Sequence, residues 1–190
     1  MEVTYIDMYK QMHEDPNLYE GSALVLHAER IKNIIVSTQA KTLLDYGCGK
    51  GDQYHKEKLH DEYLRGILPT LYDPAVEQYS VKPTSTFDGV ICTDVLEHIP
   101  EDQLAEVIKE LISYADKFVY LGICNTPAKS FLPNGENSHV TLKSFDWWVD
   151  FIQPFANDKY VMIYVYGTQI GSTRGTCIID KNEIKLRKEL

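Results

Sequence analysis

The chain holds no apolar run of the 18 or so residues that a membrane span needs, so no bilayer crossing is expected. It is also short of positive charge. There are 19 Lys and Arg against 28 Asp and Glu, a net charge of −9. Such a surface repels phosphate backbones on average, which argues against general binding of long nucleic acid. The exception is the C-terminal run Lys181, Lys185, Arg187 and Lys188, which reads as a solvated terminal helix. Cysteine is sparse: Cys48, Cys92, Cys124 and Cys177, with no C-x-x-C pair. That spacing excludes a zinc ribbon and favours reduced, buried thiols in a cytoplasmic setting. The opening residues lack a basic segment followed by an apolar one, so no signal peptide is expected. Repeats, low-complexity tracts and linkers are absent too. One domain over residues 1–190 follows, with residues 1–38 as a helical cap.

Helical and strand periods alternate along the chain. Leu24, Ala28, Ile31 and Ile35 keep a helical spacing, as do Leu104, Val107, Ile108, Leu111 and Ile112 after Pro100. Phe145, Trp148, Val149 and Ile152 repeat it, which makes Trp148 a core residue and leaves Trp147 to face a ligand or a partner. A polar helix is expected within Gln53–Arg65. Strand-like runs are Thr42–Tyr46, Ile67–Tyr72, Phe87–Thr93, Lys117–Cys124, Tyr160–Tyr166 and Thr176–Asp180. This alternation predicts an α/β fold with a doubly wound, mostly parallel, Rossmann-like sheet. The last two runs have no helix between them and predict an antiparallel end. Only a short segment separates Asp73 from Phe87, so a third strand there is expected to be reduced.

The most informative stretch is Leu43-Leu44-Asp45-Tyr46-Gly47-Cys48-Gly49-Lys50-Gly51. Glycine lets a chain turn off a strand and approach a ligand closely. A dinucleotide fold places its glycines as G-x-G-x-x-G. Here the third position is Asp52 and the glycine comes one residue early. An acid two before the first glycine, followed by G-x-G-x-G, resembles the first motif of the class I S-adenosylmethionine-dependent methyltransferases. The resemblance covers about residues 40 to 180. It implies a fold of the seven-stranded type and S-adenosyl-L-methionine as cofactor. The cofactor would lie on Asp45, Tyr46, Gly47, Cys48 and Gly49. Asp73 would take the ribose hydroxyls, Thr93 and Asp94 would face the methyl donor, and Tyr72 or Tyr79 would stack on the base. Tyr19-Glu20-Gly21-Ser22 would cap it.

Asp94-Val95-Leu96-Glu97-His98 is the second cluster. An acid, two residues and then Glu-His is similar to the metal-binding run of the small-RNA 3′-terminal methyltransferases of the Hen family. It is also similar to the O-methyltransferases of ubiquinone synthesis. Those families add a ligand from the loop after the next strand, and here Asn125–Val140 carries His139. The resemblance implies Asp94, Glu97, His98 and His139 as ligands of Mg²⁺ or Mn²⁺, with Glu97, His98 and His139 as the catalytic group. Such a cation lowers the pKa of an acceptor hydroxyl; the alternative is Glu97 or His98 as a simple general base. The bland alternative is a capping Glu97, a packed His98 and a loop His139. A long loop without evident secondary structure is uncommon unless functional, and Asn125–Val140 reads as a lid over the acceptor. The expected activity is methyl transfer to oxygen on a small molecule, a nucleotide or an RNA end. Two other readings stand beside it: a non-catalytic cofactor-binding subunit, and an NAD(P)-dependent oxidoreductase.

Overall fold

The computed structural model describes residues 3–15, 18, 23–167 and 174–189. Among them seven strands form one sheet: β1 (Leu43–Tyr46), β2 (Thr70–Tyr72), β3 (Phe87–Thr93), β4 (Ala115–Cys124), β5 (Tyr160–Tyr166), β6 (Gly175–Asp180) and β7 (Glu183–Glu189). Their order in space is β2-β1-β3-β4-β5-β6-β7. The first five are parallel, and the β5–β6 and β6–β7 pairs are antiparallel. The helices are α1 (Tyr5–His13), α2 (Leu24–Thr38), α3 (Asp52–His55), α4 (Leu59–Tyr63), α5 (Glu101–Ser113) and α6 (Phe145–Ile152). No described helix is long and apolar enough to cross a membrane.

Helices cover both faces, so the central strands are apolar almost throughout, as a parallel sheet requires. On one face α5 and α6 bury Leu104, Ile108, Leu111, Phe145 and Trp148 against Leu44, Val90 and Val119. Ser144 starts α6 by accepting the Trp147 N–H (3.2 Å), which aims Trp148 inward. On the other face α2 sets Leu24, Ile31, Ile34 and Ile35 on Leu43, Ile91 and Phe118. Each fully buried side chain of this size contributes about 1.5–3 kcal/mol. α2 thus forms part of the layer against the sheet, while α1 packs through Met8 and Met12 in a small separate cluster with Leu132.

Three local readings change. The polar helix after the glycine loop is two short pieces, α3 and α4, interrupted at Lys58, whose φ is +53°. Between Asp73 and Phe87 the described residues form only a short 3₁₀ turn (Glu77–Tyr79) and no strand, so β2 is the sheet's edge. The C-terminal basic run is a strand, not a helix. Lys181 and Asn182 both have positive φ (51° and 63°) and join β6 to β7 by a two-residue hairpin turn. Such a turn matches the natural twist of paired strands. Arg187 then pairs with Asp146 and Asp150 on α6.

Candidate functional site

β1 ends between two neighbours, β2 on one side and β3 on the other, and the chain crosses over in opposite directions from there. Such a switch point leaves a crevice beyond the carboxyl ends of the strands. The glycine loop floors it. Gly47 (φ +83°) passes so close to Val95 that a Cβ would lie 2.2 Å from the nearest methyl carbon. Its N–H donates to the Tyr72 carbonyl (2.7 Å) and ties the loop to β2. Asp73 braces the other side of the loop. One carboxylate oxygen accepts the Gly49 N–H (2.9 Å), the other the Ala75 N–H (2.8 Å).

Above this floor is a cavity of about 920 Å³. Tyr46, Gly47, Cys48, Gly49, Asp73, Thr93 and Asp94 all line it. Burial, with Asp45 nearby, pushes the Cys48 thiol well up, so it remains a neutral apolar wall. Asp45 itself does not reach the cavity. Alternation along β1 sends Asp45 toward the α2 face and Tyr46 toward the α5 face. The Tyr54 hydroxyl (2.6 Å) and the Gln53 amide (3.3 Å) donate to Asp45, and burial pushes its carboxyl up to about 7. Gln53 lines the cavity in its place and accepts the Leu24 N–H at the start of α2 (3.2 Å).

The cavity has two ends. At one, Glu110 of α5 pairs with Lys82 (2.6 Å) and lies 3.4 Å from the Tyr46 hydroxyl. Tyr72 lines this end, while Tyr79 stacks on His55 and is not part of the lining. At the other end α1 forms the roof with Tyr5, Ile6, Tyr9 and His13 over Asp94 and His98. The Tyr9 hydroxyl donates to the Ser138 carbonyl (2.7 Å), and Lys50 donates to the carbonyls of Asp15 and Leu18. Trp147 stacks on Phe151 under Lys143 and lines no part of this cavity. Tyr19-Glu20-Gly21-Ser22 lies outside the described residues.

Behind His98 is the second feature. Leu96–His98 form one 3₁₀ turn after β3. The segment from Asn125 to Val140 returns beside it, held by a Phe131–Asn137 bridge and by Asn137 clamped to both backbone groups of Ala128. Ligand-type atoms of Glu97, His98 and His139 lie within 4.8 Å of one another. The two rings are oriented by backbone: His98 Nδ1 donates to Ser138 (2.8 Å) and His139 Nδ1 to Thr126 (2.5 Å). Carbonyl partners of this kind orient metal-bound imidazoles. Burial and His139 push His98 down to about 4, and burial pushes His139 down too, so both rings are neutral at pH 7. Glu97 is fully buried. One oxygen accepts the Cys124 N–H (2.9 Å); the other has no hydrogen-bond partner among the described residues. Burial and then Asp94 push its carboxyl well up. A buried carboxylate oxygen facing two neutral imidazoles suits a divalent ion.

Asp94 is not in this group. Its φ is +57°, and its Oδ1 accepts the Tyr166 hydroxyl (2.5 Å), on the side toward His27. Three of the four expected ligands therefore converge, and the fourth is turned aside by its backbone. Gln53, Glu110, Tyr9, Tyr166 and His27 were not singled out from the sequence. For His27 a signal was present: a histidine within the apolar stripe of α2. No model of a known protein family matches the chain, and no curated protein matches it.

Proposed function

We propose that the chain is an S-adenosylmethionine-dependent methyltransferase acting on oxygen, assisted by a divalent cation. One observation carries this reading. A switch-point cavity floored by an Asp73-braced glycine loop is lined at one end by His98, and His98 is also one of the three residues of the Glu97–His98–His139 cluster behind it. When bound, S-adenosylmethionine supplies an electrophilic methyl group and the cation supplies Lewis acidity that favours the acceptor's alkoxide.

The chain's own residues have distinct tasks in this reading. Gly47 and Gly49 let the backbone approach the cofactor. Asp73 keeps lone pairs beyond those held by Gly49 and Ala75, and these accept ribose hydroxyls. Glu110, braced by Lys82, gives an acceptor for the amino group of a base at the far end. Glu97, His98 and His139 hold the cation. Tyr9 and Ile6 wall off water above the acceptor, where exclusion of solvent strengthens each electrostatic contact. A net charge of −9 favours a small molecule, a nucleotide or a short RNA end over a long nucleic acid.

Thermal unfolding with S-adenosylhomocysteine tests the cofactor class. Ligand at 100 times its Kd stabilises by about 2.7 kcal/mol, a midpoint rise of several degrees. No saturable rise overturns the reading, and a rise with NADH or NADPH instead supports an oxidoreductase. The missing strand after Asp73 favours one second reading, a module that binds the cofactor without catalysis. That module would show the rise yet form no S-adenosylhomocysteine from S-adenosylmethionine with any acceptor, with Mn²⁺ or without it.

A further inference from the structure

His27 on α2 has no exposed surface. Its ring occupies a socket on β4 that exists because residue 122 is glycine. A Cβ there would lie 2.5 Å from the imidazole Cε1 and 2.8 Å from Nε2. The rings of Tyr120, Tyr164 and Tyr166 enclose it edge-on, with centroids 5.5, 5.9 and 5.5 Å away. Nδ1 is 2.8 Å from the Tyr120 hydroxyl. Nε2 is buried and has no hydrogen-bond partner among the described residues. It is directed at Asp94 Oδ1, 3.8 Å away. Pairing with the buried Tyr120 hydroxyl accounts for Nδ1, but a buried Nε2 without a partner costs stability. The histidine therefore calls for a reason beyond packing.

Asp94 supplies one. Its N–H donates to the Gly122 carbonyl (2.9 Å), so its backbone is fixed to the same point of β4 that seats His27. Its left-handed φ is uncommon for a residue other than glycine and has to be sustained by its surroundings. Oδ1 is engaged by Tyr166 and faced by His27, which leaves Oδ2 for the cavity that Asp94 lines.

We propose that His27 is a positioning residue that, together with Tyr166, fixes the Asp94 carboxylate so that Oδ2 is presented to a hydroxyl or ammonium donor of the bound ligand. With the ring proton on Nε2, the atom that faces Asp94, Nδ1 accepts from the Tyr120 hydroxyl. The proposal deepens, and rests on, the reading of the cavity as an S-adenosylmethionine site.

Two measurements test it. The first needs no ligand. Ring nitrogen shifts of His27 in ¹⁵N-labelled protein are expected to show the proton on Nε2, and Tyr120→Phe is expected to move it toward Nδ1. A proton on Nδ1 in the unaltered protein overturns the proposal. The second is a cycle of S-adenosylhomocysteine affinities for His27→Phe, Asp94→Asn and the pair. Each single change is expected to weaken binding by about tenfold, and the pair no more than the worse single change, because coupled residues are not additive. Effects that multiply mean that His27 acts through packing alone and overturn the proposal. His27→Gln keeps an N–H donor and is expected to bind within about threefold of the unaltered protein. If His27→Phe does not fold, a His27→Gln protein that folds but loses affinity overturns the proposal. If the unaltered protein binds no S-adenosylhomocysteine, the functional reading fails, and the tautomer measurement still decides whether His27 is set toward Asp94.

Discussion

On one side of the cavity, backbone N–H groups of Gly49 and Ala75 converge on Asp73, and the loop is tied through the Tyr72 carbonyl. On the other, His98 lines the cavity and Glu97 and His139 come together behind it, each of the three held by a backbone group of Cys124, Ser138 or Thr126. The first wall is satisfied as it stands: both oxygens of Asp73 are paired. The second holds an unpaired, buried carboxylate oxygen beside two neutral rings. A wall of the first kind is rigid and indifferent to ions. A wall of the second kind stores a cost that a cation would relieve.

The largest effect expected to separate the two walls comes from Asp45, behind the glycine loop. Burial pushes its carboxyl up to about 7 in the folded chain, against the ordinary 3.8 of an aspartate. The native state therefore binds that proton more tightly than the unfolded state. Its contribution is fully present below pH 4 and is lost as pH rises through 7, a swing of about 4 kcal/mol. Denaturant titrations at pH 4 and pH 8 should show Asp45→Asn gaining on the unaltered protein by that order; parallel curves would refute it.

Next in size is Glu97→Gln. It is expected to weaken Mn²⁺ binding by about 100-fold while raising the melting point of EDTA-treated protein, because an amide cannot ionise and so removes the cost of a carboxyl whose charged form burial opposes. A lower melting point in EDTA would mean that Glu97 already has its partner. Asp73→Ala should do the reverse, lowering S-adenosylhomocysteine affinity by about 30-fold through loss of the two loop hydrogen bonds and leaving Mn²⁺ affinity within about twofold. Calorimetry with each ligand reads both, and a joint loss would make the two walls one unit. The smallest effect is Trp147→Ala, outside the cavity, for which neither affinity should move by more than about twofold.

The glycine wall was legible in the sequence because its geometry is local. Three glycines next to a strand fix where the backbone turns, and Asp73 follows directly on β2. The sheet was legible for a similar reason, since period-2 and period-3.6 patterns are properties of short segments. Asp45 shows where this fails. Its type and place were plain, but whether it meets the cavity depends on which face of β1 it occupies, and β1 is buried on both. Asp94 fails differently. One left-handed φ separates it from Glu97 and His98, and no side-chain pattern encodes that angle. The C-terminal strand was masked by its charges, although Ile184 and Leu186 alternate with Lys185 and Arg187 and a Lys-Asn turn precedes them.

Gly122 and His27 occupy one space between them. An alanine at 122 would meet the imidazole at 2.5 Å, so the two positions cannot drift separately. A lineage that gains a side chain at 122 has to give up the ring at 27, and with it the hold on Asp94. The pair is therefore a fingerprint written across two layers of the fold, and relatives whose overall sequence has diverged beyond recognition can be sought by these two residues changing in concert.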